Sequence, residues 1–488
     1  MSTITTKQKM TNYRWTICIM LFFATTINYM DRQVLSLTWV DFIAPEFGWT
    51  NSDYGTITSL FSIFYAISML FAGRFVDWMG TKKGFMWAIF IWSLGACLHA
   101  FCGIATSGIV TGDWSLSFHG AAESIRTAVV SAGAAGRVLT TSVTLFVFAR
   151  LVLAVGEAGN FPAAIKTTAE YFPKKDRAFA TSIFNSGAQI GALLAPLTIP
   201  FIAKAWGWEM SFIVIGALGF IWMGFWQFLY KKPEKNPKVN KAELDYILQD
   251  SESHDKVEEK VEKGQEKKLT FLQCFQFRQT WSFALGKFLT DGVWWFYLFW
   301  TPAYLSSVYG MSSTEAAFPI FILYLITMLS IIGGWLPTFF VDKKKMNPYD
   351  GRMKAMFILA LFPLLALFAQ PLGQYSYWLP IIIIGIAGAA HQAWSANIFS
   401  TVGDMFPKSA IATITGIGGM MGGVGSFLIN KGSGVLFDHA QNTNMKFMGF
   451  EGINSGYFII FAICAVAYLL GWILMKSLVP KYKPIELK

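Results

Sequence analysis

The stretch Ile221-Trp222-Met223-Gly224-Phe225-Trp226-Gln227-Phe228-Leu229-Tyr230-Lys231-Lys232-Pro233 decides how this chain is organised. An apolar run is stopped there by two bases and a proline, which cannot continue a helix. The chain then stays polar until Phe271, with a charged run through Glu258-Glu259-Lys260. Within this break Leu244, Ile247 and Leu248 fall at helical spacing, so Ala242 to Gln249 is expected as a short amphipathic helix on a membrane face. On both sides the sequence returns to long apolar runs. At roughly 20 apolar residues per crossing, twelve spans are expected, six before the break and six after. They begin near Tyr13, Tyr54, Gly84, Leu139, Ala178, Ser211, Thr280, Ala316, Met353, Tyr377, Ala410 and Gly456. The expected domains are a six-helix half over 1–230, a linker over 231–278 and a second six-helix half over 279–488.

Composition agrees with a membrane protein: 54% hydrophobic, 17% aromatic and only 14% charged residues over 488 positions, with a mean hydropathy of +0.46. A soluble chain of this size needs more charge. The runs are continuous, without the ten-residue alternation of a membrane barrel, so the fold class is all-α. The first run is too long for a signal-peptide core and ends on Asp31-Arg32, so it reads as a retained span. The net charge of +10 would suit a nucleic-acid partner if the bases formed one patch. Instead they crowd Lys7 to Arg14, Arg74 to Lys83, Lys174 to Arg177, Lys231 to Lys268, Lys343 to Lys354 and Lys476 to Lys488. All fall on one side of a twelve-span model. The other side carries Asp41, Glu46, Asp53, Asp113 and Glu123, with scattered bases such as Lys204 and Lys446. The positive-inside rule then places both termini in the cytoplasm of a multi-pass protein of the cell inner (plasma) membrane, and the basic faces meet anionic lipid rather than nucleic acid. Five cysteines, an odd number, give neither a disulfide framework nor a metal cluster.

Charge inside the spans carries the chemistry. Asn28-Tyr29-Met30-Asp31-Arg32, Arg150 and Glu157 sit in otherwise apolar runs, where each ionisable group costs about 2.5–3.5 kcal/mol on insertion scales. Such groups mark a pathway. Arg150 and Glu157 are seven residues apart, two helical turns, and so lie on nearly one face about 10 Å apart along the axis. An arginine keeps its charge and its fork matches a carboxylate with two bonds, which makes Arg150 the anchor for an organic anion. A glutamate in a low-dielectric cavity can load and release a proton near neutral pH, so Glu157 is the first proton carrier and Asp31 the second. Arg32 points some 100° away from Asp31 and either tunes the carboxylates or pairs across helices. The competing reading is a buried ion-pair network that only fixes packing, yet such networks stabilise poorly. Asn185 and Gln189 share a helix face, as do Lys287 and Asp291, which suit an intrahelical ion pair. Tyr29, Tyr65, Asn185, Gln189 and Ser395 supply hydrogen bonds for a polyhydroxylated ligand or act as interhelical glue. Trp294 or Trp295 offers an apolar face to a sugar ring or packs in the core, with one of the two facing elsewhere. His391 is a relay or a neutral hydrogen-bonding imidazole.

Six plus six around a basic linker resembles the major facilitator superfamily. Gly73-Arg74-Phe75-Val76-Asp77-Trp78-Met79-Gly80-Thr81-Lys82-Lys83 is similar to its Gly-x-x-x-Asp-x-x-Gly-x-Lys loop between spans two and three. Gly73, Asp77, Gly80 and Lys82 then form a conformational-loop motif, with Asp77 expected to meet bases or a helix end across the domain interface. The repeat at Thr338 to Lys345 keeps Asp342 and the lysines. Closer resemblance is to the anion:cation symporter family and its bacterial hexuronate and hexonate transporters. It runs through Asn28 to Arg32, Arg150 with Gly156-Glu157-Ala158 and Phe161-Pro162, Tyr171-Phe172-Pro173, and Asn185-Ser186-Gly187 with Gln189. It continues in Lys287-Phe288-Leu289 with Asp291 and Trp294, and in Ala390-His391-Gln392 with Ser395 and Asp404. Span eleven, Gly416 to Gly425, carries none of the asparagine that some galactonate transporters use. The resemblance places a ligand tyrosine at Tyr65; Lys287 is either a second cationic contact or simply neutralised by Asp291 near the membrane surface.

The expected protein is therefore a secondary active transporter, not an enzyme, importing a hexuronate such as glucuronate or galacturonate by proton symport and alternating access. Its partners are a small organic anion, protons and the lipid bilayer, with no nucleic acid, and it works as a monomer. No cofactor or metal is expected. No nucleotide-binding loop and no Gly-x-Ser-x-Gly nucleophile is present. An exchanger or uniporter would use the same Arg150 without net proton flux, a sodium-coupled variant would use Asp31 as an ion ligand, and a transporter-like sensor would bind without translocating.

Overall fold

A computed structural model describes residues 9–130, 133–249 and 271–485. The charged run Glu258-Glu259-Lys260 and the terminal bases Lys7 and Lys488 lie outside them. Twelve long helical segments cross the molecule in sequence, and they coincide with the expected spans. The first half comprises Tyr13–Thr38, Asn51–Met79, Thr81–Thr111, Ala135–Tyr171, Lys174–Trp206 and Trp208–Leu229. The second comprises Arg278–Tyr309, Ser313–Asp342, Pro348–Gly373, Trp378–Met405, Lys408–Asn442 and Ile453–Leu478. Nine of these are long and apolar enough to cross a membrane by composition alone. The first, seventh and eleventh spans are not among the nine. The first and seventh carry Asp31, Arg32, Lys287 and Asp291, and the eleventh is rich in glycine.

Local chemistry sets the ends and breaks. Thr50 and Asp53 form a capping box at the start of the second span, as do Ser312 and Glu315 at the eighth, satisfying amide groups that lack a helical partner. The fourth span runs helical to Glu157, turns over Ala158 and Gly159, and resumes at Asn160–Tyr171. Pro162 is the cause: its ring would strike the carbonyl of residue 158 in a continuous helix. The eighth span breaks between Thr327 and Ser330.

Two connections have structure of their own. Between the third and fourth spans, the third span stays helical through Gly103 to Thr111. Beyond it Phe118–Val130 folds as a helix with Ala121, Ile125 and Ala128 buried. After the sixth span, Lys241–Leu248 forms the expected helix, capped by Asn240. Its Ile247 is buried while Leu244 and Leu248 are half-buried. Its Glu243, fully buried, accepts from the Tyr13 and Arg14 amides at 2.9 and 3.0 Å, from Arg14 Nη1 at 3.2 Å and from the Thr11 hydroxyl. The helix is thus bolted to the start of the first span.

The halves meet through glycines and hydrogen bonds. A side chain at Gly434 of the eleventh span would strike the Asn51 carbonyl of the second; without a Cβ the two backbones approach closely. Asp438, on the eleventh span, accepts from Asn51 N and Nδ2, both at 3.0 Å, and from Ser52 N at 2.7 Å. Reciprocally, Asp41 of the first half accepts from Ser313 N and Oγ. Each carboxylate therefore sits on the N-terminus of a helix in the other half, where unpaired amides and the helix dipole favour negative charge. Lys431 Nζ donates to Thr56 Oγ1 at 2.6 Å, Tyr54 to the Phe299 carbonyl at 2.7 Å, Ser62 and Ser426 pair at 2.9 Å, and Thr327 donates to Gln189 at 3.3 Å. Trp39 stacks on Tyr54 at 4.1 Å and meets Trp300 of the other half at 6.2 Å. These contacts run from the middle of the spans to the face opposite the chain termini.

Candidate functional site

The fourth span is brought against the third by small residues. A Cβ on Gly156 would strike the backbone of Trp92 and Ala88, so the glycine beside Glu157 sets how deeply that carboxylate sits. Glu157 and Arg150 are each 1% exposed, Asp31 1% and Arg32 4%. The Arg32 guanidinium forks onto one oxygen of Glu157, with Nε at 2.9 Å and Nη2 at 2.6 Å. Arg32 thus pairs across helices rather than with its neighbour Asp31. Arg150 does not join that pair. Its three guanidinium nitrogens are buried without a hydrogen-bond partner, as are both oxygens of Asp31, both side-chain polar atoms of Asn28, Oε1 of Glu157 and Oδ1 of Asn160. Buried polar atoms are nearly always satisfied in proteins, so this concentration on the first and fourth spans makes the cluster the candidate site. Asp31 lies within electrostatic range of Glu157, Arg150 and Arg32.

Aromatic rings complete the cluster. Arg32 lies over Tyr65 at 4.7 Å, Trp295 at 5.0 Å, Tyr29 at 5.1 Å and Phe61 at 5.8 Å, and Phe61 also faces Arg150 at 5.1 Å. Tyr29, Asp31, Arg32, Tyr65, Arg150 and Glu157 are thus one assembly. Phe61 joins it without having been singled out by sequence, where it is one apolar residue among many. Asn160, beside the break, donates its Nδ2 to Thr25 Oγ1 at 3.5 Å.

A second assembly belongs to the other half. Lys287 pairs with Asp291 at 2.7 Å and lies over Phe399 at 4.2 Å. His391 stacks on Trp294 with parallel rings 5.4 Å apart and its Nδ1 shares a 2.8 Å hydrogen bond with the Tyr468 hydroxyl. Trp294 therefore has one face covered by its own half, while its neighbour Trp295 reaches across to the first half. On the eleventh span the stretch Gly416 to Gly425 packs closely on the seventh: a Cβ on Gly425 would strike the Phe288 carbonyl, and one on Gly422 the Asp291 carboxylate. Gln189 is held by Thr327 across the halves. Asn185 is exposed and Ser395 half-buried, and neither is hydrogen-bonded to either assembly. Asp404 pairs with Arg352 at 2.6 Å inside the second half.

In the loop motif, Asp77 pairs with Lys166 of the fourth span at 2.8 Å, within its own half and not across the interface. Lys82 donates to the Gln227 carbonyl at 2.7 Å, and a side chain at Gly73 or Gly80 would meet open space, although Gly80 has a positive φ of 77°. Among the described residues no cluster of three His, Cys, Asp or Glu side chains could hold a metal ion. On the face opposite the termini, burial pushes the Glu46 carboxyl up to about 7; Glu209 adds to this, while Trp208 Nε1, donating at 3.0 Å, and Arg126 of the inserted helix oppose it.

Known proteins agree with this architecture. The chain is 28% identical over 484 residues to the hexuronate transporter of Escherichia coli strain K12, covering 98% of this chain and 97% of that one. It is 26% identical over 368 residues to the galacturonate transporter of Dickeya chrysanthemi, covering 74% and 94% respectively. The bacterial homolog of the human lysosomal transporter Spinster, solved in an inward-facing and occupied conformation, superposes with a TM-score of 0.66 at 17% identity over 96% of this chain and 97% of that one. The model of the Major Facilitator Superfamily matches residues 21–429, and with twelve spans in two halves the chain belongs to that superfamily of membrane transporters.

Proposed function

We propose that this protein imports a sugar acid, a hexuronate such as glucuronate or galacturonate, together with protons. The observation that carries the reading is Arg150, a guanidinium whose three nitrogens are buried without a partner while Arg32 and Lys287 are each neutralised by a carboxylate. A buried fixed charge of that kind is costly unless a ligand supplies the counter-charge, and a carboxylate fits its fork with two bonds. One such cation among these three favours a ligand with one carboxylate over a dicarboxylate. The names of the two relatives above support the same class. Tyr29, Tyr65, Gln189 and Asn185 are the hydrogen-bonding candidates for the hydroxyls. Lys287, Trp294, His391 and Ser395 form the second half's wall.

Glu157 and Asp31 carry the protons, and Arg32 competes with the proton for Glu157. Alternating access moves the halves, 1–230 and 279–488, about this midplane site. The loop motif Gly73 to Lys82 steadies the first half's terminal face. The termini and the linker 231–278 are cytoplasmic by their bases, so the form described is closed to the outside of the cell membrane. The chain works as a monomer.

Proteoliposomes with an imposed inward proton gradient test the reading, offered glucuronate, galacturonate, galactonate and galactarate. Accumulation of a uronate that a protonophore collapses is expected. Uptake indifferent to the protonophore makes the protein an exchanger, and uptake of none of the four defeats the substrate class.

A further inference from the structure

We propose that Trp295 is a positioning residue for the Arg32–Glu157 ion pair, pressing the guanidinium onto the carboxylate only while the faces opposite the termini are together. The inference rests on the reading of this site as a proton-coupled carrier. Of the four rings around Arg32, Tyr29, Phe61 and Tyr65 belong to the same half as the arginine and move with it. Trp295 alone of the four comes from the seventh span, in the other half, with its ring 5.0 Å from the guanidinium carbon. It is wedged into the first half's aromatics, 5.7 Å from Phe61 and 5.8 Å from Tyr65. Its neighbour cannot do this, because Trp294 is turned into its own half against His391.

A guanidinium over an indole is stabilised most when the contact excludes water. The cage also lowers the local dielectric around the pair, which strengthens its attraction. Moving the halves apart at this face withdraws one wall, admits water to Arg32 and loosens its hold on Glu157. The charged and titratable groups facing Glu157 are Arg32, Arg150, Asp31 and Tyr29, and none of these belongs to the second half. Trp295 is therefore the contact by which the position of the second half is felt at that carboxylate, without itself touching substrate or proton.

The test uses the full chain in lipid nanodiscs with spin labels on Leu116→Cys and Gln441→Cys, both exposed on the face opposite the termini and one in each half, and with the half-buried Cys97 replaced by Ala. Pulsed spin-echo distances read the fraction of molecules open at that face. Trp295→Ala is expected to raise the ratio of open to closed at least fivefold, but less than twofold in a Glu157→Gln background, where there is no ion pair to hold. Trp295→Phe keeps a ring and is expected to stay within twofold of the parent. Equal effects of Trp295→Ala in both backgrounds would reduce the residue to ordinary packing, and no effect in either would overturn the inference outright. The measurement needs no substrate, so failure here and failure of the parent to take up uronates are separate results.

Discussion

Asp438→Asn should open the face opposite the termini. In the closed form the carboxylate accepts from the Asn51 and Ser52 amides at 3.0 and 2.7 Å and from Asn51 Nδ2 at 3.0 Å, at the start of the second span. An asparagine of nearly the same shape keeps one oxygen for Asn51 but turns its own donors toward Ser52 N. That change removes one hydrogen bond to a charged group, worth about 1.5–3 kcal/mol, and a charge at a helix N-terminus, worth about 0.3–1 kcal/mol. In the open form these groups are hydrated and the substitution changes little. The expected net shift of about 2 kcal/mol multiplies the open-to-closed ratio by about thirty. The spin-label pair at Leu116 and Gln441 reads this directly, and Asp404→Asn, which breaks an ion pair lying wholly inside the second half, is the control. If Asp438→Asn leaves the distance distribution within threefold of the parent, or if Asp404→Asn moves it as much, the carboxylate is not a latch between the halves.

Four further outcomes are expected. Arg150→Lys, which keeps charge but loses the two-bond fork, weakens uronate binding 10- to 100-fold by calorimetry, the equivalent of one charge-assisted hydrogen bond of about 1.5–3 kcal/mol; unchanged affinity moves the anchor to Lys287 or Arg32. Glu157→Gln retains counterflow with substrate on both sides but loses accumulation under a proton gradient, and a variant that still concentrates substrate transfers the coupling role to Asp31. Glu46→Gln flattens the pH dependence of melting between about pH 4.5 and 7. A carboxyl raised to about 7 contributes stability fully below its ordinary value and loses it as pH rises through 7, by up to about 3 kcal/mol, so the variant should melt higher than the parent at pH 8 and not at pH 4. Finally, a cysteine at exposed Lys238 should resist an impermeant reagent in intact cells, and ready labelling there would invert the assigned topology.

Much of this molecule is legible in one dimension. The number and order of spans follow from apolar length against bilayer thickness, since a backbone in lipid must satisfy itself within each helix. The same economics singled out Asp31, Arg32, Arg150 and Glu157, because charge is rare where water is scarce. The break after Glu157 is written as Pro162, although only the tertiary structure shows it as a turn over Ala158 and Gly159. Partnership was a different matter. Sequence spacing puts Arg150 and Glu157 on one helix face, yet Arg32, from another span, takes the glutamate and leaves Arg150 free of any hydrogen bond. The roles of Trp294 and Trp295 were interchangeable on paper, since successive helix residues point about 100° apart and nothing local says which direction is the other half. Nothing in the sequence pointed to the partners of Asp438 and Asp41: each acts on a helix end hundreds of residues away, in the opposite half. Sequence determined which segments enter the membrane and which groups pay to be there, because both are transfer energies of single segments. Which charge meets which, and which contacts join the halves, depends on the rotation and packing of helices against one another, and only the tertiary structure decides that.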